Sequence, residues 1–235
     1  MITIAAAGAL MLWGCDVKDP IYETDHPGKG AVTVKADWSN IGQGITKPAK
    51  WTVAIGSSEG IAENTDSHTF KESFGAGNYT VYAWNPAEHI TFNGTTAAVA
   101  SDGSGIQSLP GWLFTSRMQT TVEADRKHEF TAVMAQQVRQ LTLVIEPTGG
   151  TADKIENITA TLSGVAGSYD MESGAHGSAS SVALTFTKIT SGDDAGKWSA
   201  TVRLLGVTGM QQKLSGTISF AGGTLGDMPL DSDLS

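Results

Sequence analysis

The chain has 235 residues, with 15 Lys and Arg against 24 Asp and Glu and a formal net charge of −9. That acidity repels phosphates, and the one basic cluster, Arg126-Lys127-His128, is bracketed by Asp125 and Glu129, so nucleic acid is excluded as a partner. With 17% charged and 40% hydrophobic residues, it reads neither as a disordered chain nor as a helical membrane protein. Twenty-eight Gly against seven Pro, among frequent Thr, Ser, Val and Ala, is the profile of many strands joined by tight turns, so the predicted class is all-β.

Residues 1–14, MITIAAAGALMLWG, carry no charge and fall short of the ~20 residues that cross a bilayer. They fit the apolar region of a secretory signal. The stretch ends at Cys15, the only cysteine, which therefore has no internal disulfide partner. A buried structural cysteine, a reactive thiol or a modified residue remain. An apolar run ending at a lone Cys and followed by a polar spacer favours modification. Leu12-Trp13-Gly14-Cys15 resembles the bacterial lipobox, although Trp13 stands where a small residue is usual and no basic residue precedes Lys18. The expectation is a lipoprotein signal peptide over 1–14, cleavage between Gly14 and Cys15, and lipid attachment at Cys15. Residues 15–30, with Pro20, Pro27, Gly28 and Gly30, read as a flexible tether.

AVTVKADW alternates Val32, Val34, Ala36 and Trp38 against polar neighbours, as does KWTVAIG with Trp51, Val53 and Ile55. HTFKESF (68–74) is a further candidate strand. NYTVYAWN (78–85) is apolar on both faces and predicts a central strand. HITF and TTAAVA flank Asn93-Gly94, a hairpin signal. SDGSGIQSLPGW reads as a surface loop, followed by a strand at 119–124. The pattern over 127–147 is too long for one strand and divides near Gln136-Gln137, where one domain hands over to the next. Strands are predicted at 155–165, 181–189, 197–207 and 213–223, in intervals that suit a small sandwich. The final LGDMPLDSDLS shows no pattern that would close a sheet.

Catalytic and metal-binding patterns do not emerge. The five histidines, at 26, 68, 89, 128 and 176, form no close pair, and Asp193-Asp194 and Asp227–Asp233 lack spaced calcium ligands. No Gly-x-Ser-x-Gly elbow or phosphate loop occurs. No metal, cofactor or enzymatic activity is expected. Trp112 and Trp198 would serve a glycan-binding protein of a nutrient-uptake system if exposed, which is the alternative reading.

The order of motifs carries a family likeness. DHPGKGAVTVKADW, GNYTVYAWNPAEHITF, LPGWLFT and FTAVMAQQVRQLTLVIEP, behind a lipobox, resemble the fimbrillin superfamily of Bacteroides-type (type V) pili, most of all its lipoprotein anchor and minor-subunit branch. The resemblance implies two tandem transthyretin-like β-sandwich domains, at 31–136 and 137–235, in an outer-membrane, lipid-anchored protein. It implies partners that are other fimbrial subunits, joined by donor-strand exchange. Stalk subunits of that family lose a first strand to an Arg-specific protease, whereas no Arg precedes Arg117 here, so an uncleaved anchor is expected. The family pattern continues into further strands beyond a segment like 231–235. Truncation at Ser235, or a second sandwich left with an open edge, is expected accordingly.

Overall fold

Alternation builds the first sheets. The computed structural model describes residues 28–223 and 225–234. Strand β1 (Lys29–Asp37) buries Val32, Val34 and Ala36, and Trp38 beyond it, on one face. It pairs in parallel with β10 (Lys127–Val133) and antiparallel with β4 (Ser67–Thr69) and β5 (Phe74–Gly75). A second sheet runs in the order β11 (Ala135–Gln136), β9 (Phe114–Val122), β6 (Gly77–Trp84), β2 (Lys50–Ile55), β3 (Ser58–Glu63). Between these sheets lies a core that includes Val32, Val34, Trp51, Ile55, Val81, Phe114 and Met134.

The second core lies between the remaining sheets. One is β12 (Arg139–Ile145), β16 (Trp198–Leu204) and β15 (Thr187–Lys188). The other is centred on β13 (Ile155–Asp170), flanked by β14 (His176–Thr185) on one edge. Its other edge takes β17 (Lys213–Phe220), followed by β18 (Met228–Asp233), and further along, β8 (Thr96–Val99) with β7 (Ile90–Asn93). The β7–β8 hairpin thus comes from within 31–136, yet it completes the sheet of the C-terminal lobe through Ser168↔Ala98 to Asp170↔Thr96. Ile90, Ala97, Val99, Ile106 and Leu113 all belong to that second core. At ~1.5–3 kcal/mol for each large apolar side chain buried, this excursion is a substantial share of the core.

The all-β expectation holds, with differences in detail. HTFKESF is two short strands, because Phe70 turns into the core between them and Lys71-Glu72 leave the sheet. β3 escapes sequence reading because its inward residues are Gly60 and Ala62, too small to mark a buried face. The C-terminal segment does join a sheet as β18, in register with β17 from Ile218↔Met228 to Lys213↔Asp233. It lies at the sheet's edge with both faces largely exposed, so ladder hydrogen bonds rather than burial hold it and no alternation is required. The loop 101–107 is not free of the fold either: Ile106 is buried and its N–H donates to the Ser181 carbonyl of β14 at 2.9 Å.

Candidate functional site

Edges without partners are where a β-protein can take up another strand, since their N–H and C=O groups remain unpaired. Among the described residues β12 pairs on one side only, with β16. Leu141, Leu143 and Ile145 face the core but stay half-buried, whereas their cross-strand partners Val202, Ala200 and Trp198 are buried. Across the opening, Ile218 and Leu230 are also only partly covered and Met228 is 53% exposed. A concavity of about 440 Å³ lies at the Leu141 end, lined by Leu204, Leu205 and Val207, and another of about 240 Å³ at the Ile145 end, lined by Ile155 and Phe220. This flank of the second lobe is apolar, and its edge strand pairs on one side only among the described residues. β10 is likewise paired on one side, with β1.

β1 itself is fully engaged. The Phe70 N–H donates to the Val32 carbonyl at 3.0 Å, Lys35 pairs with Glu129 at 2.7 Å, and Val32 and Val34 are inaccessible. Gly30 is required by close approach, because a Cβ there would lie 2.5 Å from the Glu123 carbonyl oxygen.

The seam between the lobes is polar and aromatic. Arg117 on β9 donates from Nη2 to Glu172 Oε1 at 2.8 Å and from Nε to Oε2 at 3.1 Å, and the Tyr82 hydroxyl donates to the same carboxylate. The turn holding Glu172 is tied by Asp170, which accepts from Ser173 Oγ and from Thr95 Oγ1, each at 2.6 Å. Those hydrogen bonds, with that from Ser173 the largest influence, hold the Asp170 carboxyl well below the usual carboxylate range. Trp84 on the outer face of β6 packs against Phe92 with the rings tilted by 31°, which explains the second apolar face of that strand.

Cys15 and Gly14, the residues singled out for lipid attachment and cleavage, lie outside the described residues. The glycan-platform candidates do not form an exposed surface: Trp198 is 5% exposed, and Trp112 packs against both cores under the Arg203 guanidinium, 4.4 Å from its ring. Asp194 is spoken for by Lys197 at 2.8 Å, which raises the Lys197 pKa. Among the described residues, no group of three or more His, Cys, Asp or Glu is gathered for a metal. Sequence reading missed the Arg117–Glu172 pair, whose members lie 55 residues apart with no shared motif.

Comparison with known proteins gives the fold a context. No curated protein matches by sequence. A candidate adhesin from Bacteroides ovatus superposes with a TM-score of 0.64 at 16% identity, covering 94% of this chain and 88% of that one. The fimbrial anchor protein Mfa2 from Porphyromonas gingivalis superposes with a TM-score of 0.61 at 16% identity, covering 88% of this chain and 82% of that one. A candidate polysaccharide-binding protein from Bacteroides thetaiotaomicron gives 0.54 at 10% identity, covering 83% and 77%. At such identities the likeness speaks for the fold alone. The sequence profile of the fimbrillin-A associated anchor proteins Mfa1 and Mfa2 matches residues 55–225, well over half the chain. The chain belongs to that family of fimbrial anchor proteins.

Proposed function

We propose that this chain is a surface lipoprotein that anchors or initiates a fimbria by accepting a β-strand from another fimbrial subunit. The observation that carries the reading is the open edge of β12, where Leu141, Leu143 and Ile145 are half-buried beside a fully buried β16. An added strand would pair with the free ladder groups and cover those side chains with its own alternate apolar residues. Family membership supports a fimbrial role. In this reading 1–14 is a signal peptide and Cys15, freed by cleavage after Gly14, carries the lipid that holds the protein at the outer membrane. Residues 16–30 are the tether, and the two lobes are tandem transthyretin-like sandwiches. β1 stays in place, because no Arg precedes Arg117 for an Arg-specific protease to use. The role is structural, and no residue acts as a catalyst.

Three experiments test it. Intact mass of membrane-extracted protein is expected to show a start at Cys15 with added acyl mass, and Cys15→Ala is expected to leave the membrane; retention of Met1 with a free thiol sinks the tether. In the native bacterium, Leu143→Lys is expected to reduce surface fimbriae at unchanged protein abundance, since a half-buried edge position tolerates the change. Normal fimbriation of that variant sinks the β12 edge as acceptor.

A further inference from the structure

The two ends through which an anchor would be pulled meet on one strand pair. β1 starts at Lys29, where the 15–30 segment enters the fold, and runs parallel to β10 in unbroken register from Ala31↔Lys127 to Asp37↔Val133. The chain leaves β10 at Val133 and passes through β11 straight into β12, which belongs to the second lobe. The lobes are also joined covalently where β6 passes into β7 and β8 returns to β9, but force that enters along the β10–β12 crossing acts on the Val133 end of β10 against the Lys29 end of β1. In a parallel pair these are opposite ends of the ladder, so the pull runs along it. Every inter-strand hydrogen bond is then strained together, whereas a pull across one end would break them one at a time.

The surroundings oppose sliding as well. On its other side β1 is held antiparallel by β4, from Thr33↔Thr69 to Lys35↔Ser67, and by β5, through Lys29↔Gly75 and Gly30↔Phe74. A one-residue slip would turn Thr33 and Lys35 into the core places of Val32 and Val34, which are wholly buried. The Lys35–Glu129 ion pair and the Thr33–Thr69 hydroxyl contact at 2.9 Å tie the outer face to both neighbours. We propose that the β1–β10 pair is a shear clamp through which the protein carries tension between its N-terminal tether and its fimbrial partner. The physiological direction of pull rests on the anchor reading above, while the mechanical property belongs to the fold itself.

Single-molecule pulling on the full, unlipidated chain tests it, with the sole native thiol, Cys15, as one handle. The second handle is a cysteine placed at either end of the same strand, Val133→Cys or Lys127→Cys, both at exposed positions. The Cys15–133 geometry loads the ladder in shear and the Cys15–127 geometry unzips it. Both variants keep the core, and a matching melting temperature shows that they share one fold. Rupture force in the shear geometry is expected to exceed that in the unzipping geometry by at least about twofold, because forced unfolding follows the barrier along the pulled coordinate. Equal forces, or a weaker shear geometry, overturn the clamp and leave the anchor reading standing. Loss of the anchor reading by the Cys15→Ala fractionation would leave the measured force ratio untouched.

Discussion

Arg117 and Glu172 join the two lobes by a two-point ion pair, at 2.8 and 3.1 Å, with the Tyr82 hydroxyl donating to the same carboxylate. The side chains are 34% and 51% exposed, so water and salt screen the attraction. A double-mutant cycle with Arg117→Met and Glu172→Gln is expected to give a coupling of less than about 1 kcal/mol that shrinks as salt is added. A coupling indifferent to salt would mean that the seam is drier than these exposures imply.

Leu113 precedes β9 of the first lobe but is wholly buried in the second core. Leu113→Ala is expected to cost about 2–5 kcal/mol in urea denaturation, as for other large-to-small changes in closed cores. Met210, 90% exposed, is the control: Met210→Ala is expected to stay within about 0.5 kcal/mol of the parent.

Asp170 predicts a pH response. Its folded-state pKa is depressed by hydrogen bonds from Ser173, Thr95 and the Glu172 N–H, so the unfolded chain binds a proton more readily. Stability from this group is therefore fully present above the unfolded value of about 4 and is lost as the pH falls through the lower folded value. Acid titration of melting temperature is expected to be flatter below about pH 4 for Asp170→Asn than for the parent, with the variant already less stable at neutral pH. Parallel acid profiles would refute the assignment.

Gly105 sits where a side chain cannot. A Cβ there would collide with the carbonyl oxygen of Ser181, the acceptor for the Ile106 N–H. Gly105→Ala is expected to lift the 101–107 loop from the β14 edge at a cost of about 1–3 kcal/mol. Amide exchange at Ile106 should accelerate, while exchange at Val34 in the far lobe should not.

Local periodicity revealed most strands, because a half-buried strand must alternate. Val32, Val34 and Trp38, or Trp51, Val53 and Ile55, show their buried face in the sequence and keep it in the fold. That the pattern over 127–147 is two strands was legible too, since β10 ends at Val133 and β12 starts at Arg139 with only the two-residue β11 between them. Pairing was not legible. RQLTLVI shows which side chains of β12 face inward but not that its far edge lacks a neighbour among the described residues, for that depends on how strands as much as 65 residues away are arranged. β18 was invisible because an edge strand exposed on both faces needs no apolar code. Asn93-Gly94 announced a hairpin without saying whose sheet it would join.

That hairpin makes the lobes interdependent in time as well as in space. Chain emerging from the ribosome presents Ile90, Ala97 and Val99 before β13, their sheet partner at Ser168–Asp170, has been synthesised. The first lobe can close around its own core while this arm waits, and the second can complete its sheet only by reaching back for it. A gene divided after Gln136 would strand the arm on one product and leave a gap in the other, so the halves are not interchangeable modules. Domain shuffling within such a chain would have to move the arm with its recipient, not with its neighbours in sequence.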